Sequence, residues 1–262
     1  MRICVISPDR RQGNSTVSAL LAASLAQTQN YSTCLTFSGS HNHSLESMIG
    51  LQTVEDKTRN LSQILRLLES NAISEEDVRD YCVQVPVIPN MQFIDTTSET
   101  VSEEDSSKLL QYVVSHLSHE IVITDVTTEI YDDVTKMIIE QSDLVVMVLT
   151  QSKDVWEKLA FWKQSGWMEM LNKKGLLYIF NQFDAYVDAF RDTTKKLGLR
   201  HNRCAKISYN PFIKRMGNMG KLQSIVPYIL DKDPRVIELN HDLKECLMVI
   251  LANLGRRTAW KS

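Results

Sequence analysis

The sequence predicts an α/β fold: a doubly wound, mostly parallel sheet flanked by helices. Two observations carry the prediction. Short runs rich in β-branched residues, such as "RICVIS" and "LVVMVLT", alternate with longer amphipathic or Ala/Leu-rich stretches. Alternation of that kind means βαβ units, and right-handed crossovers wind them into an open sheet covered on both faces. The strand runs are also apolar at nearly every position, as strands buried on both faces are.

In order, "RICVIS" is the first strand, and "STVSALLAASLAQ" is a helix rich in the best helix formers, packed along much of its circumference. "TCLTF" (33–37) is the second strand, followed by the polar loop "SGSHNHS" and "LESMIGL". From about 54 to 84 the pattern is helical and charged, with Ser74 and Asp77 in capping-box spacing. "MQFID" (91–95) reads as a strand, "SSKLLQYVVSHLSH" as an amphipathic helix, and "EIVITD" as a buried strand ending on Asp125. There follow a helix over about 131–141, "LVVMVLT", a helix over about 154–171, "GLLYIFN", a helix near 184–197, the strand "CAKIS", a loop and a long helix over about 235–254. No repeat or Pro/Gly-rich linker interrupts the 262 residues, so one domain over 1–262 is predicted.

Composition narrows the function. With 43% apolar and 23% charged residues, the chain reads as an ordinary soluble protein. Its formal charge of −3 gives no general pull toward nucleic acid or anionic lipid, so DNA is not an expected partner. The five cysteines are dispersed without a CxxC pair, which fits a reducing compartment. No apolar run approaches the roughly 20 residues that span a bilayer, and the chain opens directly into a strand without a signal-peptide pattern. A cytoplasmic location follows as the expectation.

Ligands on doubly wound sheets bind outside the carboxyl ends of the strands. That rule places Ser7–Ser15, Ser38–Ser44, Asp125–Glu129 and Asn181–Asp184 on one functional rim.

The order of these segments resembles the ParA/MinD branch of P-loop ATPases, the group with a deviant Walker A loop. "ISPDRRQGNSTVSALLAASLA" aligns without a gap on the family's strand, loop and helix. "YSTCLTFSGSHNHSLESMIGL" lies where the family has its second strand and switch segment, and "HEIVITDVTTEI" where it has the Walker B strand. "SDLVVMVLTQS" and "GLLYIFNQFD" match the next two strands, the second ending in the base-contacting Asn. The resemblance covers nearly the whole chain and implies a P-loop NTPase-like fold with Gly13, Asn14, Ser15, Thr16, Asp125 and Asn181 as a vestigial or weak nucleotide site. Ser15 takes the Mg²⁺-ligand position, Asp125 the Walker B position and Asn181 the base contact.

The departures from the pattern carry the functional expectation. A phosphate loop curls on its glycines so that N–H groups face the anion, and a lysine adds charge. Here Pro8, Arg10 and Arg11 replace the family's glycines, Asn14 replaces the Walker lysine, and Asp9 inverts the charge of the signature lysine. Proline removes a donor, and the Cβ of arginine disfavours positive φ. Ser38 and Ser40 stand where the resemblance puts switch aspartates, which removes the carboxylate that orients the attacking water. No catalytic residue is assigned. The expectation is a ParA/MinD-like pseudo-ATPase: a positioning or assembly scaffold for a bacterial envelope machine (pilus, secretion or conjugation), as for TadZ/CpaE-type members. Protein partners, a homodimer and peripheral membrane contact belong to that expectation; ATP with magnesium is at most a weakly held cofactor. The alternative is an active but atypical ATPase in DNA partition or division-site placement, with Arg10 or Arg11 supplying the missing charge.

Other features read more plainly. His41 and His43 lack Cys, Asp or Glu neighbours at ligand spacing and read as a polar loop, so no metal site is assigned. "IKRMGNMGK" (213–221) reads as a solvated loop. Trp156, Phe161, Trp162 and Trp167 cannot all share one helix face, so at least one aromatic is expected to be exposed as a contact-surface signal. Leu243, Leu247, Ile250, Leu251 and Leu254 form a stripe expected to pack on the sheet, followed by Arg256, Arg257 and Trp260.

Overall fold

The computed structural model describes residues 1–38, 43–51, 64, 66–67, 70, 72, 78–95, 102–126 and 133–255. Its centre is one eight-stranded sheet: β1 (Arg2–Ile6), β2 (Thr33–Ser38), β3 (Val83–Gln84), β4 (Met91–Phe93), β5 (Ile121–Val126), β6 (Leu144–Leu149), β7 (Leu176–Phe183) and β8 (Cys204–Ser208). The spatial order is β3-β4-β2-β5-β1-β6-β7-β8. Every neighbouring pair is parallel except β3 with β4. β2, β5 and β6 are buried at every position, the state that their unbroken apolar and β-branched runs predict.

The helices bounded within the described residues are α1 (Asn14–Thr28), α2 (His43–Met48), α3 (Glu103–His116), α4 (Asp133–Gln141), α5 (Lys153–Gln164), α6 (Trp167–Lys173), α7 (Phe190–Lys196), α8 (Pro211–Asn218), α9 (Ile225–Leu230) and α10 (Ile237–Asn253). On one face of the sheet, α1, α9 and α10 pack on Ile3, Val5, Leu35, Phe37 and Val146. On the other, α3 to α6 cover Cys4, Ile6, Val145, Met147 and Phe180, with Cys34 and Val122 under α3. Alternate residues of one strand therefore serve opposite layers. Each fully buried Leu, Ile or Val stabilises by roughly 1.5–3 kcal/mol, so this two-sided burial dominates the fold.

α1 is the central helix. From Val17 to Ala26 all its residues are buried, so it has no solvent face. It ends where Asn30 turns left-handed at φ 60° and the Tyr31 N–H reaches back to the Leu25 carbonyl, closing the helix end. α10 lays Leu243, Leu247, Ile250 and Leu251 into the core, as the stripe predicted, with Leu254 partly buried beside them.

Four expectations need correction. The predicted helix over 154–171 is two helices, because Gly166 at φ 82° breaks it. Gln84 and Val83 form a short edge strand rather than a helix end. The helix near 184–197 starts only at Phe190. The loop after "CAKIS" holds α8 and α9, the first capped by the Asn210 side chain with Pro211 at its first turn. Within the predicted 54–84 helix, residues 64, 66–67 and 78–79 are helical, while 54–63, 65, 68–69, 71 and 73–77 (with the Ser74/Asp77 pair), Ser40, His41, Arg256, Arg257 and Trp260 lie outside the described residues, as does the His43 side chain.

Candidate functional site

The loop from β1 to α1 lies at the carboxyl end of the central strand and is braced throughout by side chains of its own chain. The Ser7 hydroxyl donates to the Asp9 carbonyl. One Asp9 carboxylate oxygen accepts the Arg10 N–H at 2.8 Å and the Lys158 ammonium at 2.7 Å. The hydrogen bond from Lys158, on α5, holds the Asp9 carboxyl below the usual carboxylate range. A carboxylate from the loop itself thus takes an N–H and a cation that an anionic ligand would otherwise compete for.

Gln12 is the second brace. Its Nε2 donates to the Arg10 carbonyl at 3.0 Å, and its Oε1 accepts the Thr150 hydroxyl at 2.5 Å. Its backbone carbonyl accepts from the Asn181 amide at 2.8 Å. Arg11 sits between these anchors at φ 62°. The loss of glycine therefore does not prevent a curl, contrary to the sequence expectation. An arginine pays the left-handed strain, about 1–2 kcal/mol, because its neighbours over-determine the backbone. Arg10 and Arg11 are both exposed.

Gly13 does require glycine. It lies at φ 86° at the start of α1, and a Cβ there would fall 2.1 Å from Asn181 Nδ2. Asn181 comes from β7 just before a bulge at Gln182, where φ is 53° and the pairing with β8 shifts register. The residue expected to touch a base is buried and spends its amide on the loop.

The two residues expected around a cation do meet. The Ser15 hydroxyl donates to Asp125 Oδ2 at 2.6 Å. Asp125 is fully buried, its Oδ1 makes no hydrogen bond of good geometry, and burial pushes its pKa up to about 7 against the opposing Ser15 and Ser18 hydroxyls. A buried carboxylate beside the Ser15 and Ser18 hydroxyls suits a hard cation such as Mg²⁺.

The donor set for the phosphates fits less well. Asn14 donates to the Val126 carbonyl at 3.3 Å and leaves its Oδ1 buried without a partner. Thr16 directs its hydroxyl to the Met48 sulfur at 3.9 Å. Ser38 is buried at the end of β2. The Ser15–Asp125 pair is in place, while the Walker-lysine position offers a neutral amide.

Gln12, Thr150 and Lys158 were not singled out from the sequence. Gln12 falls on a position the motif leaves variable, and Lys158 reaches the loop across 149 positions, for which no local signal exists. The basic residues Lys214, Arg215 and Lys221 are exposed. Gly220 and Gly50 meet: a Cβ on Gly50 would lie 2.5 Å from the Gly220 carbonyl oxygen. Of the aromatics, Trp162 is buried, Trp156 and Trp167 pack half-buried against the core, and Phe161 is 55% exposed. No helix among the described residues is long and apolar enough to cross a membrane.

No family model matches the chain, and no curated protein matches it. Solved structures do. The MinC:MinD cell division protein complex of Aquifex aeolicus superposes with a TM-score of 0.67 at 15% identity, covering 100% of this chain and 98% of that one. A plasmid partition protein of Borrelia burgdorferi bound to AMPPNP gives 0.66 at 18% identity, covering 96% and 98%. A ParA family ATPase of Chlorobium tepidum gives 0.67 at 14% identity, covering 92% and 96%. The protein has the ParA/MinD fold, a P-loop NTPase-like doubly wound sheet.

Proposed function

We propose that this protein is a ParA/MinD-like pseudo-ATPase that works as a positioning or assembly scaffold with little or no ATP hydrolysis. The observation that carries the reading is Asp9, at the signature-lysine position, bound to Lys158 of its own chain at 2.7 Å. The site that would neutralise a triphosphate is there filled by an internal ion pair. Asn14 in the Walker-lysine position adds hydrogen-bonding capacity without charge. One positioned donor is worth about 3 kcal/mol to a transition state, and each 1.4 kcal/mol is roughly tenfold in rate. Losing the two lysines and the switch carboxylate together leaves no efficient route to turnover.

The scaffold role is the rest of the reading. The sheet is a rigid platform, and the rim around the loop is the surface for a second copy or a protein partner. The first structural relative is a complex of MinD with MinC, which supports a protein-binding role for this fold. A bacterial envelope machine, pilus, secretion or conjugation, is the setting that the resemblance to TadZ/CpaE-type proteins suggests. Without a nucleotide cycle, association follows concentration and partner alone.

The Ser15–Asp125 pair favours a second reading, an atypical ATPase in DNA partition or division-site placement that holds Mg²⁺ between these residues and borrows charge from Arg10 or Arg11. When bound, Mg-ATP would supply the phosphoryl group and its counter-charge; Ser15 and Asp125 would orient the cation. Phosphate release from Mg-ATP by the purified protein separates the readings. No release above background is expected. Turnover that Asp125→Ala abolishes would establish the second reading instead.

A further inference from the structure

At the opposite end of the sheet from the loop, Cys34, Cys82 and His119 converge. Cys34, Gln92 and Val122 are directly paired across β2, β4 and β5, each the second residue of its strand, so this is the amino end of the sheet. Cys82 immediately precedes β3, and His119 precedes β5 by two residues. One ligand atom of each, two sulfurs and a ring nitrogen, lies within 4.8 Å of the others, and all three residues are buried.

The histidine is poised as a ligand. Its Nε2 lies 2.6 Å from Gln92 Oε1. A carboxamide oxygen only accepts, so Nε2 carries the proton and Nδ1 presents its lone pair. That Nδ1 is buried and has no hydrogen-bond partner. An imidazole beside two thiols, with one ring N–H tied to a carbonyl oxygen and the other nitrogen buried without a partner, is the arrangement of a metal-binding histidine.

We propose that Cys34, Cys82 and His119 bind one thiophilic d¹⁰ cation, zinc(II) or copper(I). Two sulfurs and one imidazole nitrogen are the soft donor set that selects these ions over Mg²⁺ or Ca²⁺. Ligands at 2.0–2.3 Å from a tetrahedral centre lie about 3.3–3.8 Å from one another, so contraction of about an ångström completes the set. Two thiolates cancel the charge of zinc(II), and the single negative charge left with copper(I) would face the nearby Arg2 and Arg79. Burial and the neighbouring Cys82 push the Cys34 thiol up, and Arg2 and Arg79 lie close enough to oppose that shift; both guanidinium groups also act on His119. Arg2 is itself anchored on the Val114 and Leu117 carbonyls at the end of α3. Uptake of each cation releases two protons, one from each thiol, and none from His119, whose burial holds its pKa down at about 4. The other titratable cluster among the described residues, His241, Asp242 and Glu245, lacks sulfur and has Asp242 committed to Lys206.

The test uses the full chain, purified anaerobically with reductant and stripped of metal. Cobalt(II) is titrated in while the sulfur-to-cobalt charge-transfer absorption is followed; zinc(II) and copper(I) then compete in separate arms, which tells the two natural ions apart. One cobalt per chain with that absorption is expected, lost in Cys34→Ser and in Cys82→Ser. Gln92→Ala keeps all three ligands and the fold, and is expected to weaken binding about 10–100-fold; it carries the test if the cysteine variants fail to fold. Absence of the absorption at one equivalent, its persistence in Cys82→Ser, or unchanged affinity in Gln92→Ala overturns the proposal. So does a Cys34–Cys82 disulfide in the anaerobically handled protein.

Discussion

The Asn181 amide donates to the Gln12 carbonyl across 2.8 Å, and the same amide nitrogen occupies the space that a side chain on Gly13 would need. The loop and β7 are therefore fitted to each other directly. The shape of the loop is held by the protein's own polar groups rather than by a ligand.

Gly13→Ala is expected to destabilise by about 2–4 kcal/mol, from positive-φ strain plus a clash with a buried amide. Asn181→Ala alone should cost about 1–3 kcal/mol, because the Gln12 carbonyl loses its partner. The double variant should lose less than the sum, since removing the Asn181 amide removes the clash. Urea denaturation of the four proteins measures the coupling, and strict additivity would mean that the two sites are independent.

Asp125 gives a pH dependence with a definite sign. Its folded pKa of about 7 lies above the usual value of 3.8. The neutral acid is therefore favoured in the fold; that contribution is complete below about pH 4 and is lost as pH rises to 7. Asp125→Asn cannot ionise. Measured by chemical denaturation, its stability relative to the parent protein should rise between pH 4 and pH 8 by on the order of 3–4 kcal/mol. A difference that stays flat over this window would show that the buried carboxyl titrates normally.

Asp242 ties the last helix to the last strand. Its Oδ1 accepts from Lys206 at 2.8 Å and its Oδ2 from the Ser208 N–H at 2.7 Å. Asp242→Ala leaves the partly buried Lys206 ammonium with only the Ser208 hydroxyl and the Ser208 N–H without its acceptor, and is expected to cost about 3–5 kcal/mol. Replacing both members by Met and Leu should recover most of the loss, a comparison that thermal melts can make.

How legible the molecule was from sequence follows from the range of each interaction. β2, β5 and β6 match their sequence runs within a residue or two, because a strand buried on both faces writes its burial into consecutive residues. Ser15 and Asp125 were readable as a pair since each ends or follows a strand at the same rim. The two-residue β3 is too short for a period, and α8 and α9 are short helices stabilised by tertiary contacts. Only the Asn210–Pro211 cap offered a local cue to them. The Asp9–Lys158 pair and the Cys34–Cys82–His119 cluster join distant segments, and their meeting is a property of topology alone.

If missing charge is what separates this loop from a triphosphate site, restoring charge should restore binding before it restores chemistry. Asn14→Lys places an ammonium at the first turn of α1, and Asp9→Lys removes the carboxylate that now engages Lys158 and the Arg10 N–H. Each new charge-assisted hydrogen bond is worth about 1.5–3 kcal/mol, so the double variant should bind Mg-ATP about 100-fold or more tightly than the parent, read as a thermal shift with added nucleotide. Ser38 still supplies no carboxylate to orient water, so phosphate release should remain at background. A double variant with no gain in affinity would mean that the loop's shape, set by Gln12, Arg11 and Asn181, excludes the phosphates irrespective of charge.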